Sequence, residues 1–262
     1  MRRGPPCLLV HEMNLPPAGA ATRLASMTSA FGQFCPIAVA SGIFAERWTP
    51  MILRELIAGS EHFNDIHRGV PLMSRALLVR RLKELEDAGV ITKEALDGKR
   101  GHRYRLTTAG EECRAIVEAL AHWGQRWTVR VERRNLDAGF LMWNVRRRIA
   151  LERLPERKVV ACFRFGGIPR AYRGPRVFWL LLERAGAEMC VTDPGLEVDV
   201  QVEADLATMA SVWLGDMPFQ SALASKEIRL LGPRALTGAL PTWLMLSKFA
   251  DVPRPEAEGA AR

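Results

Sequence analysis

No stretch of this chain stays apolar long enough to cross a bilayer. The longest unbroken runs, such as Val177 to Leu182, fall far short of the ~20 residues a spanning helix needs, so no membrane insertion is expected. A secretory signal is missing as well, because Arg2 and Arg3 precede only the short run Cys7-Leu8-Leu9-Val10. The expectation is a cytoplasmic protein. Paired cysteines are also lacking. Cysteines 7, 35, 113, 162 and 190 are scattered and odd in number, and no C-x-x-C occurs. That pattern excludes a zinc ribbon and a disulfide framework, and in a reducing compartment the thiols stay free. His11, His62, His67, His102 and His122 have no metal-ligand spacing. The phosphate-binding and dinucleotide glycine motifs, H-E-x-x-H and G-x-S-x-G are absent. No catalytic group, metal site or cofactor is therefore expected, and the chain reads as a non-enzyme. Acids are in deficit, 29 against 37 bases, for a formal charge of +8. That balance favours a polyanionic partner.

The 262 residues suffice for two cores. Residues 1–27 are rich in Pro, Ala and Gly and read as a disordered leader, with Met13 and Met27 as alternative starts. Residues 251–262 read as a loose tail. Helical patterns fill 28–130 around one hairpin, and strands then helices fill 159–250. A basic helical connector, 131–158, carries Arg146-Arg147-Arg148 between them. The fold class is α+β: an N-terminal winged helix-turn-helix, then an α+β domain with a mainly antiparallel sheet covered by helices.

Thr49-Pro50 suits a helix start, with Thr49 as the cap, and Gly59 a helix stop. A short helix follows from His62 to Arg68. Ser74 caps the next helix, which carries Leu78, Leu82 and Leu85 on one stripe and ends at Gly89. Ala76, Val79, Arg80 and Lys83 fall opposite that stripe, with Arg75 and Arg81 beside them. Four cations and no acid occupy 74–83, while Glu84, Glu86 and Asp87 gather at the far end. That polarity suits a helix whose N-terminal half enters a major groove. Two strands flank the turn Asp97-Gly98-Lys99-Arg100-Gly101, and Lys99, Arg100, Arg103 and Arg105 crowd the tip. A cationic hairpin beside a cationic helix suits neighbouring phosphates. Thr107 or Thr108 caps a last helix, which has a capping-box spacing at Thr108 to Glu111 and the stripe Ile116, Leu120, Trp123, Trp127, Val131, as core or dimer seam. Any one of these cations is more often a solvated charge; the ordered combination is what is specific.

Residues 34–127 resemble the HxlR-type winged-helix regulators, relatives of the MarR group. The likeness rests on Cys35-Pro36-Ile37-Ala38, Arg47-Trp48-Thr49, Ile52 to Leu56, Phe63-Asn64-Asp65-Ile66, Ser74, Leu78, Arg81 to Ile91, Tyr104 to Thr107 and Gly110. Ala45-Glu46-Arg47 departs from the usual Gly-Gly-Lys, away from the groove-facing helix. The resemblance implies a homodimer on a pseudo-palindromic double-stranded operator, with Ser74, Arg75, Ala76, Val79, Arg80, Arg81 and Lys83 toward the major groove and Lys99, Arg100 and Arg103 on the wing. Cys35 matches a cysteine that some members use to sense oxidants, although an inert thiol is the commoner case.

In the second module Leu196, Val198, Val200 and Val202 alternate with polar residues, as an antiparallel strand with one wet face does. Lys158–Phe165, Val177–Leu182, Met189–Thr192 and Glu227–Leu231 read as further strands, Ala204–Leu214 and Leu240–Phe249 as helices. The order of these elements resembles sterol-carrier-type lipid-binding domains. That likeness implies a hydrophobic or lipid-like effector against Phe178, Trp179, Met209, Trp213, Leu214, Met217, Phe219, Leu223, Trp243 and Met245, residues that equally suit a plain core. Three functions stay open: an effector-controlled transcriptional regulator, a lipid carrier whose winged helix contacts proteins, and a thiol-based redox regulator working through Cys35.

Overall fold

The computed structural model describes residues 32–96, 101–128 and 131–255, which gather around two hydrophobic cores. The expected leader lies outside the described residues. The fold is α+β, a winged helix-turn-helix followed by a mainly antiparallel sheet with helices on one face.

The first unit comprises α1 (Pro36–Phe44), α2 (Thr49–Ile57), α3 (Phe63–Gly69), α4 (Arg75–Asp87), β1 (Ile91–Ala95), β2 (His102–Leu106) and α5 (Thr108–Trp127). Ile52, Leu53, Ile66, Leu78, Leu82, Leu85 and Ile91 are buried together. The three leucines are the i, i+4, i+7 stripe of α4, which is why that helix shows its other side to solvent. Gly59 and Gly89, with φ of 87° and 69°, let the chain leave α2 and α4 through left-handed backbone. One cap differs from expectation and another falls on one of two expected residues. Trp48, with φ of 80°, takes the N-cap position of α2, and Thr49 is buried as its first helical residue. Thr107 rather than Thr108 caps α5, accepting from the Gly110 N–H at 3.1 Å.

The second unit comprises α6 (Ala138–Arg147), β3 (Val159–Gly166), β4 (Val177–Glu183), β5 (Gly186–Cys190), β6 (Val200–Asp205), α7 (Leu206–Trp213), α8 (Phe219–Ala224), β7 (Ile228–Leu231) and α9 (Arg234–Trp243). The sheet order is β5-β4-β3-β6-β7, parallel between β3 and β6 and antiparallel elsewhere. Val159, Ala161, Phe163 and Phe165 of β3 and Phe178, Leu180 and Leu182 of β4 point to one face. There they meet apolar residues of α6, α7 and α9.

Four expectations change. Residues 131–158 do more than connect, since Ala138, Leu141, Met142 and Val145 of α6 belong to the second core. The alternating segment from Leu196 becomes a strand only at Val200, and Leu196 and Val198 are exposed. Residues 191–199 instead carry the chain from the edge strand β5 past β4 and β3, so they lie outside the ladder. The last helix is 234–243, not 240–249. Past Pro241 the chain becomes extended, and Met245 N–H donates to the Arg148 carbonyl at 3.1 Å beside an Ile149–Leu244 bridge. The tail is anchored as far as Arg254, which pairs with Asp216 and donates to the Gln125 carbonyl at 3.2 Å.

Candidate nucleic-acid interface

The exposed side of α4, expected to face a groove, is sorted by its ion pairs. Ser74 uses its hydroxyl to cap the helix, accepting from Leu77 N–H at 3.3 Å. Arg75, Ala76, Val79 and Arg80 are exposed. Arg80 makes a single long pair with Glu84 at 3.5 Å and stays largely free. Arg81 is different: its side chain is only 11% exposed and joins Glu84 at 2.5 Å and Glu46 of the loop after α1. Burial works to lower its pKa, but the two carboxylates outweigh it and raise the pKa. Arg81 therefore ties α4 to its neighbour instead of reaching outward, and the Ala45-Glu46-Arg47 departure, expected to lie away from this helix, contacts it through Glu46. Lys83 donates to Asp87 at 2.6 Å, which raises its pKa and turns its charge inward along the helix. The acids at the far end, read as a separate cluster, thus pair with three of the four cations, Arg80 only at 3.5 Å.

The wing meets the helix through one short segment. Arg103 and Arg105 of β2 both pair with Glu61 at 3.2 Å. Tyr104 N–H donates to the Glu61 carbonyl at 2.8 Å, and His62 bridges to Arg103. Arg75 sits over the Phe63 ring at 4.7 Å and donates to Asn64 at 2.9 Å. Residues 61–64 therefore brace the first residue of α4 and the root of the wing together. The two basic elements converge, with Arg103 partly neutralised. Lys99 and Arg100 lie outside the described residues.

The expected effector wall does not line one cavity. Phe178, Met209 and Trp243 are buried in the second core, and Trp213, Met217, Phe219 and Leu223 pack against it. Trp179 is half-buried on the opposite sheet face, because β4 alternates. Leu214 is half-buried and Met245 is 41% exposed. A separate open cleft of about 500 Å³ lies beside β7, lined by Leu223, Ile228, Leu230, Leu231, Arg234 and Thr237 among others. Of the expected residues, Leu223 borders it. Cys35 is half-exposed at the N-cap of α1.

One cluster escaped the sequence reading. Glu55 of α2 is fully buried between the two units. Its carboxylate accepts from Arg54 at 2.9 and 3.1 Å, from the Trp143 indole at 3.2 Å and from Arg147. Arg147 also donates to Ser60 at 2.6 Å. Arg68, Arg146 and Arg147 surround the Trp143 ring, with guanidinium carbons 4.2–5.3 Å from its centroid. Gly69 leaves room for the carboxylate, since a Cβ there would lie 1.8 Å from Glu55 Cδ. The run Arg146-Arg147-Arg148 was the visible signal, but its buried partner lies 92 residues from Arg147 in sequence.

A family model described as HxlR-like helix-turn-helix matches residues 43–132. The chain is 31% identical over 97 residues to YvaP of Bacillus subtilis, an uncharacterized HTH-type transcriptional regulator, covering 36% of this chain and 90% of that protein. It is 31% identical over 94 residues to another uncharacterized HTH-type transcriptional regulator, from Methanothermobacter thermautotrophicus, covering 36% of this chain and 72% of the relative. Among solved structures, sterol carrier protein 2 like 2 from Aedes aegypti is similar at a TM-score of 0.29 and 18% identity, over 39% of this chain and 91% of that one.

Proposed function

Because the chain belongs to the HxlR-like helix-turn-helix family of transcriptional regulators, we propose that it binds a specific double-stranded operator as a homodimer in the cytoplasm. In this reading residues 28–130 read the DNA. Residues 159–250, together with α6, take a hydrophobic effector that shifts the dimer between DNA-competent and incompetent geometries. The observation that carries the DNA reading is the brace at 61–64, which sets the exposed start of α4 and the wing side by side. Arg75, Ala76, Val79 and Arg80 are the groove contacts; Lys99, Arg100 and Arg103 serve the flanking phosphates. Ser74 and Arg81 support these contacts structurally. For the effector, the cleft beside β7 offers an apolar floor of Leu223, Ile228 and Leu230.

The test is operator affinity against salt, on fragments selected from the source genome. Each lost phosphate contact lowers the log-log slope by about 0.9. Arg80→Ala with Arg100→Ala should flatten it by roughly 2 per protomer. An unchanged slope rejects these contacts.

A further inference from the structure

The arginines around α4 and the wing root mostly face carboxylates. A second group does not. Between Arg164 and Arg184 the sequence holds Arg170, Arg173 and Arg176, with Glu183 the first acid. All four of Arg164, Arg170, Arg173 and Arg176 are exposed on the β3–β4 hairpin. None makes an ion pair among the described residues, whereas Arg75, Arg80, Arg81 and Lys83 each lean on a neighbour. The Arg173 guanidinium bonds only to backbone, at the Arg170 and Tyr172 carbonyls.

This hairpin tip is built to hold its shape. Tyr172 is half-buried at its base. Its hydroxyl donates to the Pro175 carbonyl at 3.0 Å and accepts from the Gly139 N–H at 3.2 Å. Burial pushes the Tyr172 phenol up to about 12, so it keeps the proton it donates. Gly174 passes so close that a Cβ there would lie 2.3 Å from that hydroxyl oxygen. Phe165 N–H closes the hairpin on the Arg176 carbonyl at 2.9 Å. Gly139 lies at the start of α6, and the far end of α6 holds Glu55 and Ser60 of the first unit through Arg147. Phe140, the residue after Gly139, lies under the Arg54 guanidinium of the first unit at 5.1 Å, so the base of the hairpin stands against the winged-helix unit.

We propose that the arginine hairpin 164–176 is a second DNA-binding element, which grips the phosphate backbone flanking the operator and carries no base specificity. All four cations are arginine, whose planar fork matches phosphate oxygens in pairs. Arg164 stands across from Glu203 in the ladder but is not paired with it, so none of the four need break an ion pair among the described residues to bind. The inference extends the operator reading but is measured separately from it.

The experiment compares the full chain with Arg164, Arg170, Arg173 and Arg176 all changed to Gln, and with all four changed to Lys. Binding to a random-sequence duplex of about 40 base pairs is measured across a salt series. The Gln variant should lose roughly 3 to 4 from the log-log slope per protomer, and the Lys variant should restore most of it. The preference for operator over random duplex should stay unchanged in both. A Gln variant with the wild-type slope and an unaltered melting curve overturns the proposal. So does a Gln variant that keeps its DNA slope but no longer binds vesicles of equal phosphatidylglycerol and phosphatidylcholine, which would make the hairpin a membrane contact. If the wild type shows no operator preference, the regulator reading fails, yet the slope on random duplex still decides the role of the hairpin.

Discussion

Asp199 shows how one side chain does work that alternation alone does not reveal. Its position in Leu196 to Val202 marks it as an outward polar residue. In the fold, one carboxylate oxygen accepts from the Val160 N–H at 2.8 Å and the other from Arg157 at 2.8 Å. It completes the edge of the ladder where β6 is about to begin. Burial pushes its pKa up, but Arg157 and the Val160 N–H outweigh that and hold the carboxyl below its ordinary value. A folded pKa below the unfolded one adds stability that is present above the ordinary value, near 3.9, and lost as pH falls through the lower folded value. Asp199→Asn should therefore lower the urea midpoint at pH 7, and the gap to wild type should close by about pH 2. A gap of equal size at both pH values would mean that the ionised form adds nothing.

At the scale of elements, α5 carries the clearest unfinished surface. Its Cys113 and Val117 enter the first core, and Gln125 donates to the Leu214 carbonyl of the second unit at 3.2 Å. Ile116, Leu120, Trp123 and Trp127 are 50–58% exposed. Four large apolar residues at helical spacing form a patch of the kind that another surface covers. Sequence left this stripe open between core and dimer seam; exposure removes the core alternative for these four, whereas Val131, expected on the same stripe, lies past the helix and packs against the second core. Leu120→Asp or Trp123→Asp should weaken self-association by tens-fold or more, given about 1.5–3 kcal/mol per buried large side chain. Light scattering behind gel filtration reads the outcome, and a variant as dimeric as wild type places the seam elsewhere. The helices α2, α4 and α5 were legible because each has an apolar stripe and punctuation by glycine or a capping hydroxyl at one end. Residues 191–199 and the last helix were not. Strand order decides whether an alternating segment pairs or crosses the sheet, and the Ile149–Leu244 bridge joins residues far apart in sequence. The exposed cations of α4 were legible as a group, but their ion pairs were not. A helical projection puts Arg81 beside the leucine stripe and Arg80 opposite it, but only the fold shows that Glu46 arrives from another element and takes Arg81.

At the scale of the molecule, the question is what makes two cores one body. Glu55 is the centre of that joint, with Arg54 from its own helix and Trp143 and Arg147 from α6. A second joint lies on α5, where Lys248 pairs with Glu118 and Phe249 meets the His122 ring edge-on at 5.2 Å. A buried carboxylate costs several kcal/mol to desolvate, and its partners repay this only when all are in place. Removing the acid alone leaves Arg147 buried with only Ser60 and the face of Trp143. Glu55→Ala should therefore destabilise the fold by about 3–5 kcal/mol. Because the loss falls at the joint, calorimetry should show the single melting transition split in two, one for each core. Glu55→Met with Arg147→Met fills the same space without charge and should recover most of the stability, as apolar replacement of a buried pair often does. If effector control passes through this joint, the double variant should still bind operator DNA but lose the response to an effector in the second unit. A double variant as unstable as Glu55→Ala would show instead that the ion pair itself, not the filling of the joint, holds the units together.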